Sequence, residues 1–131
     1  MKYILMMTGN RAGVDTYRSW AASDVQAHLA HLKSLNQQLL ESAELVDWQP
    51  LAPPEQGKVV RAGKDGEPVT DGVFPESKEF LLGFWIVDVE SAERAYEIAA
   101  HLSGGPGPGG TRLNMPIEVR QFMTRMAAPD L

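Results

Sequence analysis

No cysteine occurs among the 131 residues. Disulfide staples and thiolate chemistry are therefore excluded, and a reducing cytoplasm is the expected compartment. No apolar run approaches the roughly 18 residues of a membrane span. The opening "MKYILMMTGN" carries one lysine and an apolar stretch too short for a signal peptide's core and cleavage site. A soluble protein with no membrane partner is expected. A basic excess is also lacking: 12 Lys and Arg stand against 17 Asp and Glu, for a net charge of −5. Such a surface repels phosphate backbones, so nucleic acid is not an expected partner. There is no long-period repeat. What remains is ordinary globular composition at a common single-domain length, read as one domain over 1–131 with 124–131 as a frayed tail.

The apolar pattern orders the elements. "KYILMMT" (2–8) reads as a strand buried on both faces or paired centrally. "GNRAGVDTYRSW" reads as a loop that Tyr17 and Trp20 fold back on the body. Ser23 then reads as the cap of a long helix whose stripe is Val25, Leu29, Leu32, Leu35 (or Asn36) and Leu39. "ELVDWQPL" (44–51) reads as a strand closed by Pro50. "KVVRAG" (58–63) and "EPVTDG" (67–72) flank "GKDG", a hairpin turn because Asp65-Gly66 tolerates positive φ. "LGFWIVDV" (82–89) is the core strand. Ser91 caps a second helix with stripe Ala92, Ala95, Tyr96, Ala99 and Leu102. "GGPGPGG" (104–110) reads as a flexible connector, and "MPIEVRQFM" (115–123) as a last, alternating strand. This order gives an α+β fold: a ferredoxin-like βαβ-βαβ plait with an inserted β-hairpin, an antiparallel sheet and both helices on one face. The other face is left open, and a second copy is expected to cover it, as a homodimer.

The stretch "VTDGVFPESKEFLLGFWIVDV" closely resembles the signature of the DGPF-domain proteins, a branch of the YCII-related family. The matching positions are Asp71, Gly72, Phe74, Glu76, Ser77, Lys78, Glu79, Gly83 and Asp88; Val73 stands where the branch has proline. "KYILMM", "PLAPPEQGKVVRAGKDG" and "GGTRLNMPIEVRQF" extend the likeness over nearly the whole chain, and "LSGGPGPGGTRLNMP" looks longer than usual. The resemblance implies a dimeric α/β barrel of ferredoxin-like subunits. It implies kinship with small-molecule isomerases, dehydrohalogenases and monooxygenases that often need no cofactor, and none is expected here. DGPF-branch members are often encoded beside extracytoplasmic-function sigma factors, which implies such a factor as a candidate partner. The better-described YCII branch has a His–Asp pair at its site.

The candidate chemistry centres on Asp71. A carboxylate at a pocket mouth, part-desolvated by Phe74 and Trp85, can serve as a general base; Asp71-Gly72 is equally good turn chemistry. Lys78, flanked by Glu76 and Glu79, is a clamp for a small anionic ligand or a member of a solvated loop. His28 flanks the first helix's stripe and can relay protons with Asp71, or is a satisfied histidine. His31 one turn on supplies no metal site without further ligands at a matching spacing, so no metal is expected, and His101 complements its helix's C-terminal dipole. Trp48 and Trp85 line an aromatic pocket or pack the core. Two functions stay open. One is a cofactor-free enzyme on a small anionic or enolisable substrate. The other is a binding or regulatory module.

Overall fold

The computed structural model describes residues 1–72 and 79–123. Phe74, Glu76 and Lys78 lie outside them. Six strands and three helices follow in the order β1 (Lys2–Gly9), α1 (Arg11–Arg18), α2 (Ala22–Glu41), β2 (Leu45–Pro50), β3 (Lys58–Ala62), β4 (Pro68–Gly72), β5 (Phe80–Asp88), α3 (Ala92–Ser103) and β6 (Ile117–Gln121). Four strands form an antiparallel sheet ordered β2-β5-β1-β6, and β3-β4 is a separate two-stranded sheet. The fold is α+β. No helix among the described residues is long and apolar enough to cross a membrane.

Strand alternation decides what the sheet buries. Leu5 pairs with Trp85 and Val119, and Tyr3 with Val87. These residues share the face that packs on Leu32, Leu35 and Leu39 of α2 and Ala95, Ile98 and Leu102 of α3 in one core. The registers Ile4–Ile86 and Met6–Phe84 place an apolar patch on the opposite face, half-buried within the single chain, beside Glu118 and Arg120 in contact at 3.8 Å.

Three expectations are corrected. The segment read as a loop holds α1. Asn10 caps it by accepting a hydrogen bond from the Gly13 N–H at 2.9 Å, and Asp15 lies 3.7 Å from Arg11 and 3.8 Å from Arg18. Gly13 inside the helix masked it in the sequence. Second, Ala21, not Ser23, occupies the cap position of α2, without a side-chain bond. The buried stripes are also rotated: Leu29 and Tyr96 are exposed, whereas His28 of α2 and Ile98 of α3 are buried, and Leu35 and Asn36 are buried together. A two-sided contact, sheet beneath and loop beside, widens the buried stripe of α2 past its apolar residues. Third, the Gly/Pro connector is a tied hairpin. The Gly107 N–H donates to Thr111 O at 2.7 Å, the Leu113 N–H to Gly105 O at 3.0 Å, and Pro106 bridges Arg112. Gly109 and Gly110, at φ of 68° and 80°, make its turn in a region that favours glycine.

Arg94 on α3 clamps Glu44, just before β2, through Nε–Oε2 and Nη2–Oε1 hydrogen bonds of 2.8 Å each. The Arg94 guanidinium, helped by the Ser42 hydroxyl and opposed by burial, holds the Glu44 carboxyl below its ordinary value. A depressed carboxyl stabilises the fold above the unfolded-state value, near 4.5, and that contribution is lost as pH falls through the folded-state value. Glu44→Gln is expected to cost about 1–2 kcal/mol at pH 7, since the pair is bidentate but partly wetted. Urea unfolding at a series of pH values checks this: the gap from wild type should close at acid pH.

Candidate functional site

The residues flanking the signature converge on a cavity of about 220 Å³ lined by Arg11, Val14, Arg18, Pro54, Glu55, Lys58, Gly72 and Phe80. Each element delivers its part for a local reason. The helical turn of α1 places Arg11, Val14 and Arg18 on one side at spacings of three and four. The Pro53-Pro54 pair leads into a 3-10 turn that carries Glu55. The β3–β4 register pairs Lys58 with Gly72, bringing the ammonium-bearing residue beside the first half of the signature, and β5 begins with Phe80 as an apolar wall.

The electrostatics run against those of the chain. Three cations line the cavity and Glu55 is its lining carboxylate. Arg18 Nη2 bonds Glu55 at 2.5 Å, and Asp15 lies within reach of both arginines. The Glu55 carboxyl is held below its ordinary value first by its own backbone N–H and then by Arg18. Among the described residues, Asp15 and Glu55 against the three cations leave one positive charge, and Lys58 makes no ion pair. The described lining is thus locally positive on a chain of net charge −5. The volume lies below the roughly 300 Å³ at which drug-sized pockets begin, which suits an acid of a few carbons.

The sequence candidates fall into four places. Asp71 sits next to Gly72 on β4, but its carboxylate is 64% exposed and bonds Arg61 across the hairpin at 3.2 Å. No ring of the described residues encloses a carboxylate this exposed. Glu79 lines a second hollow of about 470 Å³ with Leu51, Pro53 and Leu81, on the other side of Pro54 and Phe80. Trp85 belongs to the core: it is 2% exposed, and its Nε1–H donates to Asn36 Oδ1 at 2.8 Å. Trp48 stacks on it from the edge strand, with centroids 6.2 Å apart, and lines none of these cavities. Phe74, Glu76 and Lys78 lie outside the described residues.

His28 is the fourth place. It is buried on α2 with Trp20 and Tyr17 edge-on, at centroid distances of 5.8 and 6.2 Å, and its Nδ1 has no hydrogen-bond partner among the described residues. Burial lowers its pKa, the Pro106 backbone opposes this, and the neighbouring His31 adds to the lowering. A neutral imidazole results, but its contacts are the aromatics of the α1 region and the Gly105 loop, with no described contact to Asp71. No group of three or more potential metal ligands occurs among the described residues.

The sequence missed the residues that charge the cavity. Arg11 and Arg18 were hidden by reading α1 as a loop, although the Arg11–Asp15–Arg18 spacing and Asn10 three residues before Gly13 are helix signals. Lys58 looked like an ordinary strand start.

Comparison with known proteins places the chain in a family. An uncharacterised protein of Rhizobium meliloti (strain 1021) is 28% identical over 85 residues, which is 65% of this chain and 68% of that one. The YCII-related domain profile matches residues 1–105, a span that holds every residue lining the cation-rich cavity. With most of its length matched, the chain belongs to the YCII-related domain family.

Proposed function

We propose that this protein binds a small organic anion, a short carboxylic acid, at the cavity beside the Asp71-Gly72 rim. The observation that carries this reading is the convergence of Arg11, Arg18 and Lys58 on one apolar-walled hollow in an acidic chain. Lys78 of the signature, outside the described residues, is the candidate for a fourth cation. If turnover occurs, it is cofactor-free proton transfer with Asp71 as acceptor. The exposed Asp71–Arg61 pair supports binding over turnover, because a wetted carboxylate lacks the desolvation that makes a strong general base. The half-buried patch of Ile4, Met6, Phe84 and Ile86 supports the second part of the proposal. A second copy covers the open face, and ferredoxin-like plaits thereby pair into a dimeric α/β barrel. The other reading is a regulatory module that meets an extracytoplasmic-function sigma factor.

A thermal-shift screen of short mono- and dicarboxylic acids tests the site. Wild type is expected to be stabilised by at least one acid, and Arg18→Gln and Lys58→Gln to lose that shift at unchanged intrinsic stability. A pull-down that enriches a sigma factor, with no acid giving a shift, favours the regulatory reading. Sedimentation of wild type and Ile86→Glu at the same concentration tests the dimer: two chains for the first and one for the second.

A further inference from the structure

A third cavity, unconnected with the signature, lies between α2, α3 and the Gly/Pro hairpin. It encloses about 630 Å³ and is lined by His31, Ser34, His101, Ser103, Arg112 and Asn114, among others. Among the described residues no carboxylate lines it, in a chain where acids outnumber bases. Arg112 makes no ion pair among the described residues.

The cation is placed by its surroundings. The Pro106–Arg112 bridge fixes its backbone, and its side chain passes beside Gly104, where an added Cβ would stand 3.7 Å from Cδ and Nε. His31 is held opposite. Its Nε2–H donates to His101 O at 2.8 Å, and Gly105 packs on its ring so closely that a Cβ would stand 3.1 Å from Cδ2. The loop thus sets one guanidinium against two imidazoles, two hydroxyls and an amide. Arg112 and Asn114 come from beyond the residues matched by the family profile, so part of this wall is supplied by the hairpin that follows.

We propose that this cavity binds a sugar-sized organic oxyanion. Its charged group lies on Arg112, flanked by the imidazoles of His31 and His101, and its hydroxyls face Ser34, Ser103 and Asn114. Guanidinium is the side chain suited to a bidentate oxyanion, phosphate or carboxylate, and Ser34, Ser103 and Asn114 offer donors and acceptors for hydroxyls. The volume lies within the roughly 300–1,000 Å³ of small-molecule sites.

The test is a titration of the full chain with glucose 6-phosphate and, separately, gluconate, followed by calorimetry and by the histidine imidazole resonances. The expected result is saturable binding of at least one probe that shifts the His31 and His101 resonances. Arg112→Gln should weaken it tenfold or more, Arg112→Lys less, and Lys58→Gln should leave it unchanged. Which probe binds distinguishes phosphate from carboxylate. Circular dichroism and the unfolding midpoint confirm that the Arg112 variants fold. Absence of any His31 or His101 shift at millimolar probe overturns the proposal. So does affinity retained in Arg112→Gln, or affinity lost instead in Lys58→Gln, which would assign the anion to the signature cavity.

Discussion

Trp85→Ala is expected to remove about 3–5 kcal/mol of stability, a large share of the roughly 5–15 kcal/mol that holds a domain of this size. Trp85 is the largest fully buried side chain, at the middle of the central strand β5, opposite Leu5 and beneath α2. Two terms add. The first is the lost apolar contact and the void left behind it. The second is the Asn36 carboxamide, 7% exposed, which accepts the indole N–H and would be stranded in the core. An unpaired buried polar group costs about 1–3 kcal/mol on its own. Trp85→Phe separates the terms, since it fills most of the space and still strands Asn36. Urea unfolding of the two variants measures both. A loss near zero for Trp85→Ala would show that the indole is not the centre of the core.

Gly83→Val is expected to cost about 1–3 kcal/mol by overpacking and, unlike Trp85→Ala, to act on the binding site as well. An added Cβ at Gly83 would lie 3.1 Å from Gln49 O and 3.4 Å from Pro50 Cα, both in the backbone of the edge strand β2. Backbone cannot swing aside as a side chain can, so β2 must shift away from β5. Glycine here serves the close approach of two strands rather than a turn. Just beyond, the Leu51 N–H donates to Leu82 O at 2.9 Å and the chain runs into the Pro53-Pro54 turn that walls the cation-rich cavity. A displaced β2 therefore carries Pro54 and Glu55 with it. The expected result is a lower unfolding midpoint together with a weakened acid-induced thermal shift. An unchanged midpoint would show that β2 gives way freely.

The sheet and its two packed helices were legible because their signals are long and redundant. The apolar run of β5, the Asp65-Gly66 turn and the Ser91 cap each agree with their neighbours; the Ser91 hydroxyl accepts from the Arg94 N–H at 3.1 Å, as its position implied. The errors came where a residue's neighbours are distant in sequence. His28 and Asn36 are buried because the Gly105 loop and Trp85 come to them from 49 or more residues away. Gly105 and Gly107 read as flexible because glycine is permissive, yet here each makes room for a side chain: His31 and His28 at one, Leu113 at the other. The signature drew attention to the Asp71 carboxylate, which is exposed and pairs with Arg61. The charges that give the cavity its character lie on α1 and β3, where no local pattern joins them.

In the proposed site the cations around the signature cavity, rather than the Asp71 carboxylate, hold the ligand. Calorimetric titration of malonate into wild type, Lys58→Gln and Asp71→Asn tests it most directly. Malonate should bind wild type, bind Lys58→Gln tenfold or more weakly, equivalent to about 1.4 kcal/mol, and bind Asp71→Asn as it binds wild type. Heat absent in wild type, or binding that survives Lys58→Gln and fails in Asp71→Asn, would contradict the account.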